Sequence, residues 1–172
     1  MDVSGYQLHR RYAPILARVQ GIAEQAAFLV QQRMRERMAP TRIVVAARKH
    51  CPEVVEQSQQ RTLRVQSKPV WRGPRWDNLG LTTPTPEGVL VVFDAGALKP
   101  EPQHWVDETV VHELVHAVQF SRPGVRERSL KGMRNNYGIE PMSNVGAWKA
   151  NRIVARDERE AQALEVLARE IR

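Results

Sequence analysis

Residues 109–118 read Thr109-Val110-Val111-His112-Glu113-Leu114-Val115-His116-Ala117-Val118, and the reading of this stretch decides what the fold is built around. Apolar residues surround three polar ones with no proline or glycine among them, which predicts a helix buried on several sides. Residues four apart stand above one another on a helix, so His112 and His116 aim two imidazoles at one point. Placing His, Glu and His together in apolar surroundings calls for something that offsets their desolvation. Zn²⁺ meets that need. It accepts imidazole nitrogens at about 2.0–2.1 Å, and a catalytic site adds one more protein ligand and keeps a position for water. Glu113 lies about 100° around the helix, placed to reach that water rather than the metal, as a general base requires.

This helix is expected from about Gln103 to Gln119 or Phe120, after Pro100 and Pro102 and before the Pro123-Gly124 stop. Upstream, Gly88 to Phe93 (GVLVVF) is the clearest strand, with Arg42 to Ala47 a second and Arg61 to Gln66 a weaker third. Clusters of Gly, Pro, Trp and Asp over Trp71–Asn78, and the TTPTPE run after them, read as loops and turns. Tyr6 to Met38 reads as one long amphipathic helix, with Pro14 kinking it or marking its true start and Pro40 ending it. Downstream, Ser121 to Ala147 reads as mostly loop, and a last helix covers about Asn151 to Arg169. Helix, strands, helix, loop and helix make an α+β domain. Residues 1–40 are assigned to an N-terminal amphipathic helix packing on the core, and residues 41–172 to the domain that carries the site.

No histidine follows His116, so a third ligand downstream has to be a carboxylate. Glu127, Glu140, Asp157, Glu158, Glu160, Glu165 and Glu170 are available. Among them Asp157-Glu158-Arg159-Glu160-Ala161 stands out, with small alanines next to it that allow close helix packing. HELVH followed some forty residues later by an acidic, alanine-containing helix resembles the gluzincins, the thermolysin-like group of zinc peptidases, and in length is similar to its minimal members, the minigluzincins. The resemblance covers roughly Arg42 to Arg172. It implies a zincin-like fold, with a small mixed or antiparallel sheet packed on an active-site helix and a glutamate helix. It also implies one zinc per chain, a peptide or protein substrate, and an E-x-x-A match that puts the third ligand on Glu158. Glu160 is the alternative. The two lie about 200° apart on a helix, so only one can meet the metal, and Asp157 between them falls to a supporting role. Many relatives place an aspartate where this chain has Gln162, which could still accept from an imidazole N–H. The resemblance further implies an edge strand holding substrate, for which GVLVVF is the candidate, and an oxyanion-stabilising side chain, for which Tyr137 is the candidate.

The bulk composition sets the outer limits. A chain of 172 residues can bury a core without disulfides, and its single Cys51 cannot form one internally. The start lacks the basic and apolar pattern of a secretory leader, and no apolar run reaches membrane-spanning length, so a soluble, cytoplasmic protein is expected. A net charge of +7 favours acidic partners. A rival reading is therefore a zincin-like binding or regulatory protein that meets nucleic acid through the arginines of its first helix (Arg10, Arg11, Arg18, Arg33, Arg35 and Arg37).

Overall fold

The computed structural model describes residues 1–70 and 76–172. Of the loop expected over Trp71–Asn78, residues 71–75 lie outside the described residues. The chain opens on a strand, β1 (Asp2–Tyr6), within the stretch 1–40 that the sequence assigns to an N-terminal amphipathic helix. Only Val3 and Tyr6 of DVSGY carry large apolar side chains, and the strand forms because a parallel neighbour pairs with it. Helix α1 (Ala13–Met34) starts seven residues later than expected, with Pro14 in its first turn, where a missing N–H costs nothing. It ends at Arg35, whose left-handed φ of 54° closes the last turn on the Gln31 and Gln32 carbonyls. No glycine marks that stop, which is why the pattern reads on to Met38.

Strand β2 (Thr41–Ala46) and helix α2 (Cys51–Leu63) follow. The strand character expected over Arg61–Gln66 gives way to the last turn of α2, closed by Arg64 in the same left-handed conformation. Strands β3 (Gly80–Pro84) and β4 (Val89–Asp94) form a hairpin. A one-turn helix α3 (Ala95–Leu98) leads to α4 (Gln103–Gln119), the HELVH helix. The expected loop after it contains helix α5 (Val125–Asn136). That helix is highly charged and buries Met133 alone, so its apolar period is too faint to read. Helix α6 (Asn144–Leu164) begins earlier than predicted, capped by the Ser143 hydroxyl accepting from the Gly146 N–H.

The sheet is four-stranded in the order β1-β2-β4-β3, with β1, β2 and β4 parallel and β3 antiparallel to β4. The protein is thus α+β with a small mixed sheet. Strands β2 and β4 read as continuous apolar runs because both their faces are covered. Ile43, Val45, Val89, Val91 and Phe93 pack against α1 and α4, and Val44, Ala46, Leu90 and Val92 against Cys51, Val54 and Val55 of α2. Residues 1–40 supply an outer strand of this sheet and part of the same core. Arg18 of α1 grips Asp107 of α4 through two hydrogen bonds of 2.8 and 2.7 Å, which fixes the HELVH helix on the first helix. Among the described residues no helix is long and apolar enough to cross a membrane.

Candidate metal centre

His112 and His116 leave α4 on one face, and Glu158 meets them from α6. The His112 and His116 Nε2 atoms are 3.1 Å apart, and the Glu158 carboxylate oxygens lie 3.4 Å from the first and 3.3 Å from the second. Four ligands at about 2.0–2.1 Å from a tetrahedral ion stand roughly 3.3 Å from one another. The two imidazoles and the carboxylate thus stand close enough to share one metal ion, with a different Glu158 oxygen nearest each histidine.

Hydrogen bonding behind the cluster shows what kind of group fits it. His112 Nδ1 is 2.8 Å from Glu165 Oε1, an acceptor, so that nitrogen carries the ring proton. His116 Nδ1 is 2.8 Å from Gln119 Oε1. The Gln119 orientation is fixed because its Nε2 donates to the Asp157 carbonyl and to Glu160 Oε2, both at 2.9 Å. Gln119 can therefore only accept from His116, which again puts the proton on Nδ1. Both Nε2 atoms then present lone pairs to each other and to a carboxylate. Acceptors converge with no donor between them, and a cation satisfies all of them at once. A proton on His116 Nε2, donated to Glu158, is the competing occupant of the same place. Burial disfavours a charged His116, but the Glu158 hydrogen bond and the nearby Glu113 charge outweigh it, raising its pKa. Glu158 is held below the usual carboxylate range, chiefly by His116.

Glu113 is buried, and burial pushes its carboxyl pKa up against the pull of His116 and of a hydrogen bond from Thr82. Thr82 Oγ1 donates to Glu113 Oε2 at 2.6 Å, and Gly80 backs the same side chain. A Cβ on Gly80 would fall 2.7 Å from Glu113 Cγ and 2.8 Å from Oε1. Residues Gly80–Thr83 line one side of a cleft of about 980 Å³ that also takes in His112, Glu113, His116 and Glu158. This corrects the choice of edge strand. GVLVVF lies between two neighbours as β4, and among the described residues β3 is the strand at the cleft with one edge unpaired by another strand.

The remaining expected residues take other positions. Glu160 faces away from the histidines, paired with Arg122 at 2.6 Å and with Gln119, and Arg122 holds its pKa down. Asp157 lines the cleft, but it supports the site through its main-chain carbonyl, while its carboxylate takes Arg156. Gln162 is exposed, and Glu165 occupies the role expected of it. Tyr137 is buried against α2 with its hydroxyl 3.5 Å from the Glu56 carbonyl, and it is not among the residues lining the cleft. Gln119, Thr82 and Gly80 are site residues the sequence reading does not name as such, and Glu165 enters it only among the carboxylates available as third ligand. Two of them carried a sequence signal. Gln119 is three residues from His116, and Glu165 is seven from Glu158, so each shares a helix face with its neighbour. No protein-family model matches this chain, and neither does any curated protein or solved structure, so the functional reading rests on this geometry.

Proposed function

We propose that the protein is a zinc-dependent peptide-bond hydrolase with a gluzincin-like, zincin-type site. One observation carries the reading: ligand atoms of His112, His116 and Glu158 converge within 4.8 Å of one another, in a cleft of substrate size, beside a buried carboxylate. His112 and His116 would hold the ion through Nε2, and Glu158 through its carboxylate. When bound, zinc supplies Lewis acidity and brings the pKa of water toward neutrality.

The chain's own groups do the rest. Glu113 takes a proton from the attacking water and passes it to the departing amine nitrogen. A carboxylate whose proton affinity has been raised by burial is suited to both transfers near neutral pH. Thr82 and Gly80 fix its direction from the same strand whose edge at the cleft can pair with an extended peptide backbone. Backbone pairing gives affinity with little demand on side-chain identity, which suits a peptide substrate.

The test combines metal analysis with cleavage of a peptide library. The wild type is expected to hold one zinc per chain and to cut. Glu113→Gln should keep the metal and lose roughly 10²–10⁴-fold in rate. A zinc-loaded Glu113→Gln protein with full activity would remove Glu113 from the mechanism. A zinc-loaded wild type that cleaves no peptide would remove the hydrolase.

A further inference from the structure

Helix α6 has two working faces, and only one of them belongs to the cleft. Ala147, Ala150, Val154, Asp157 and Glu158 line the cleft, and Ala161 is fully buried. Taking 100° per residue, Val145, Trp148, Lys149, Arg152, Arg156 and Arg159 fall within an arc of roughly 100° on the other side. All six are exposed. From Lys149 to Arg159 the cations follow one another every three or four residues along about 15 Å of helix. Arg156 touches Asp157 at 2.9 Å. Among the described residues no carboxylate pairs with Lys149, Arg152 or Arg159, and the nearby Glu160 is already held by Arg122. Arg152 lies 4.9 Å over the Trp148 ring, yet Trp148 remains 57% exposed.

The arginines of the first helix do not form such a face. Arg10 and Arg11 sit in the turn before α1, and Arg35 and Arg37 lie beyond its end. Arg18 is bonded to Asp107, and Arg33 lies 3.7 Å from Glu170. The nucleic-acid surface expected there has no continuous face to use.

We infer that the outer face of α6 binds a single nucleic-acid strand, with Lys149, Arg152, Arg156 and Arg159 on successive phosphates and Trp148 stacking on a base. A row of cations in step with a chain of phosphates, ending in an exposed aromatic ring, has the two elements that sequence-tolerant strand binding uses. A membrane surface fits less well. Helices that lie in a bilayer bury a broad apolar face, and here the cationic side of the helix offers only Trp148 and Val145, while Val154 lies on the opposite side at the cleft.

The probe is a labelled twelve-nucleotide oligothymidylate, followed by anisotropy with the full-length protein. Four phosphate contacts predict a log–log salt slope near −2.8, or roughly a 50-fold loss of affinity between 50 and 200 mM salt. The triple variant Lys149→Gln/Arg152→Gln/Arg159→Gln should lose at least about tenfold, and Trp148→Leu about tenfold with the salt slope unchanged. None of these residues touches the metal cluster, so peptide cleavage and zinc content should stay at wild-type values. No binding at 50 mM salt, or binding that the triple variant leaves intact, overturns the assignment. So does capture by anionic phosphatidylserine vesicles without any affinity for the oligonucleotide.

Discussion

Gln119 Oε1 faces His116 Nδ1 at 2.8 Å because the Asp157 carbonyl and Glu160 take both protons of the Gln119 amide. One buried side chain thus joins the end of the HELVH helix to α6 and decides which imidazole nitrogen is free to bind a metal. Beyond it, Glu160 meets Arg122, and Arg122 also chelates Glu36 at 2.8 Å, just past the end of α1. The ends of α1 and α4 are thus tied to α6 beside the site.

Gln119→Leu keeps the volume and removes the acceptor. Zinc affinity is expected to fall about 10–100-fold, the range found when outer partners of metal ligands are lost. Glu36→Gln changes the far end of the chain of contacts and leaves the His116 partner in place, so its zinc affinity should be near wild type. Competition with a chromophoric chelator reads both. Equal losses in the two variants would mean that Gln119 acts through general stability rather than by directing His116.

Gly80 is required by Glu113 rather than by its own backbone, since a Cβ there would overlap Glu113 Cγ and Oε1. Gly80→Ala should therefore displace the base and break its contact with Thr82 while leaving His112, His116 and Glu158 in place. A shift of about 1 Å in a reacting group costs on the order of 100-fold in rate. The variant is expected to lose that much in kcat, to hold zinc normally, and to melt close to wild type. Wild-type kcat would show that Glu113 has room to move, and would weaken its place as the base.

How much of this was legible follows from which forces are local. The HELVH helix was readable because its apolar period and its histidine spacing both lie within one turn or two. Glu158 and Glu160 could be separated as alternatives from helical phase, and the direction of α6 then brought the first to the histidines and the second to Arg122. The edge strand was misread because LTT is less apolar than LVV. Apolar density in a strand reports burial on two faces, and β3 has, among the described residues, a strand neighbour on one side only and a half-open face. Strand β1 was hidden for the same reason, as its pairing with β2 is a tertiary fact. Arg35 and Arg64 end their helices in a conformation usually given to glycine, so neither stop was visible. Tyr137 was a choice among loop residues, and the loop proved to be a helix that turns it inward.

Cys51 offers a prediction free of the metal site. Its side chain is fully buried under the β2 and β4 ends, with Sγ 3.6 Å from the Ala47 carbonyl. Burial, helped by the negative charge of Asp94, pushes the thiol pKa up to about 12. The native protein should therefore resist a thiol-disulfide reagent at pH 8, and react with it once unfolded. The same shift makes stability depend on pH. An unfolded thiol loses its proton near pH 8.5, while the folded one keeps it. The contribution is complete below about pH 8.5 and is lost as pH rises from there through the folded pKa. Relative to Cys51→Ala, the wild type should lose up to about 1.4 kcal/mol of unfolding free energy per pH unit between roughly pH 9 and 12. Paired urea titrations of the two proteins across that range cancel the ionisations they share. Parallel pH profiles, or a native thiol labelled rapidly at pH 8, would place Cys51 nearer solvent than the packing of α2 on the sheet allows.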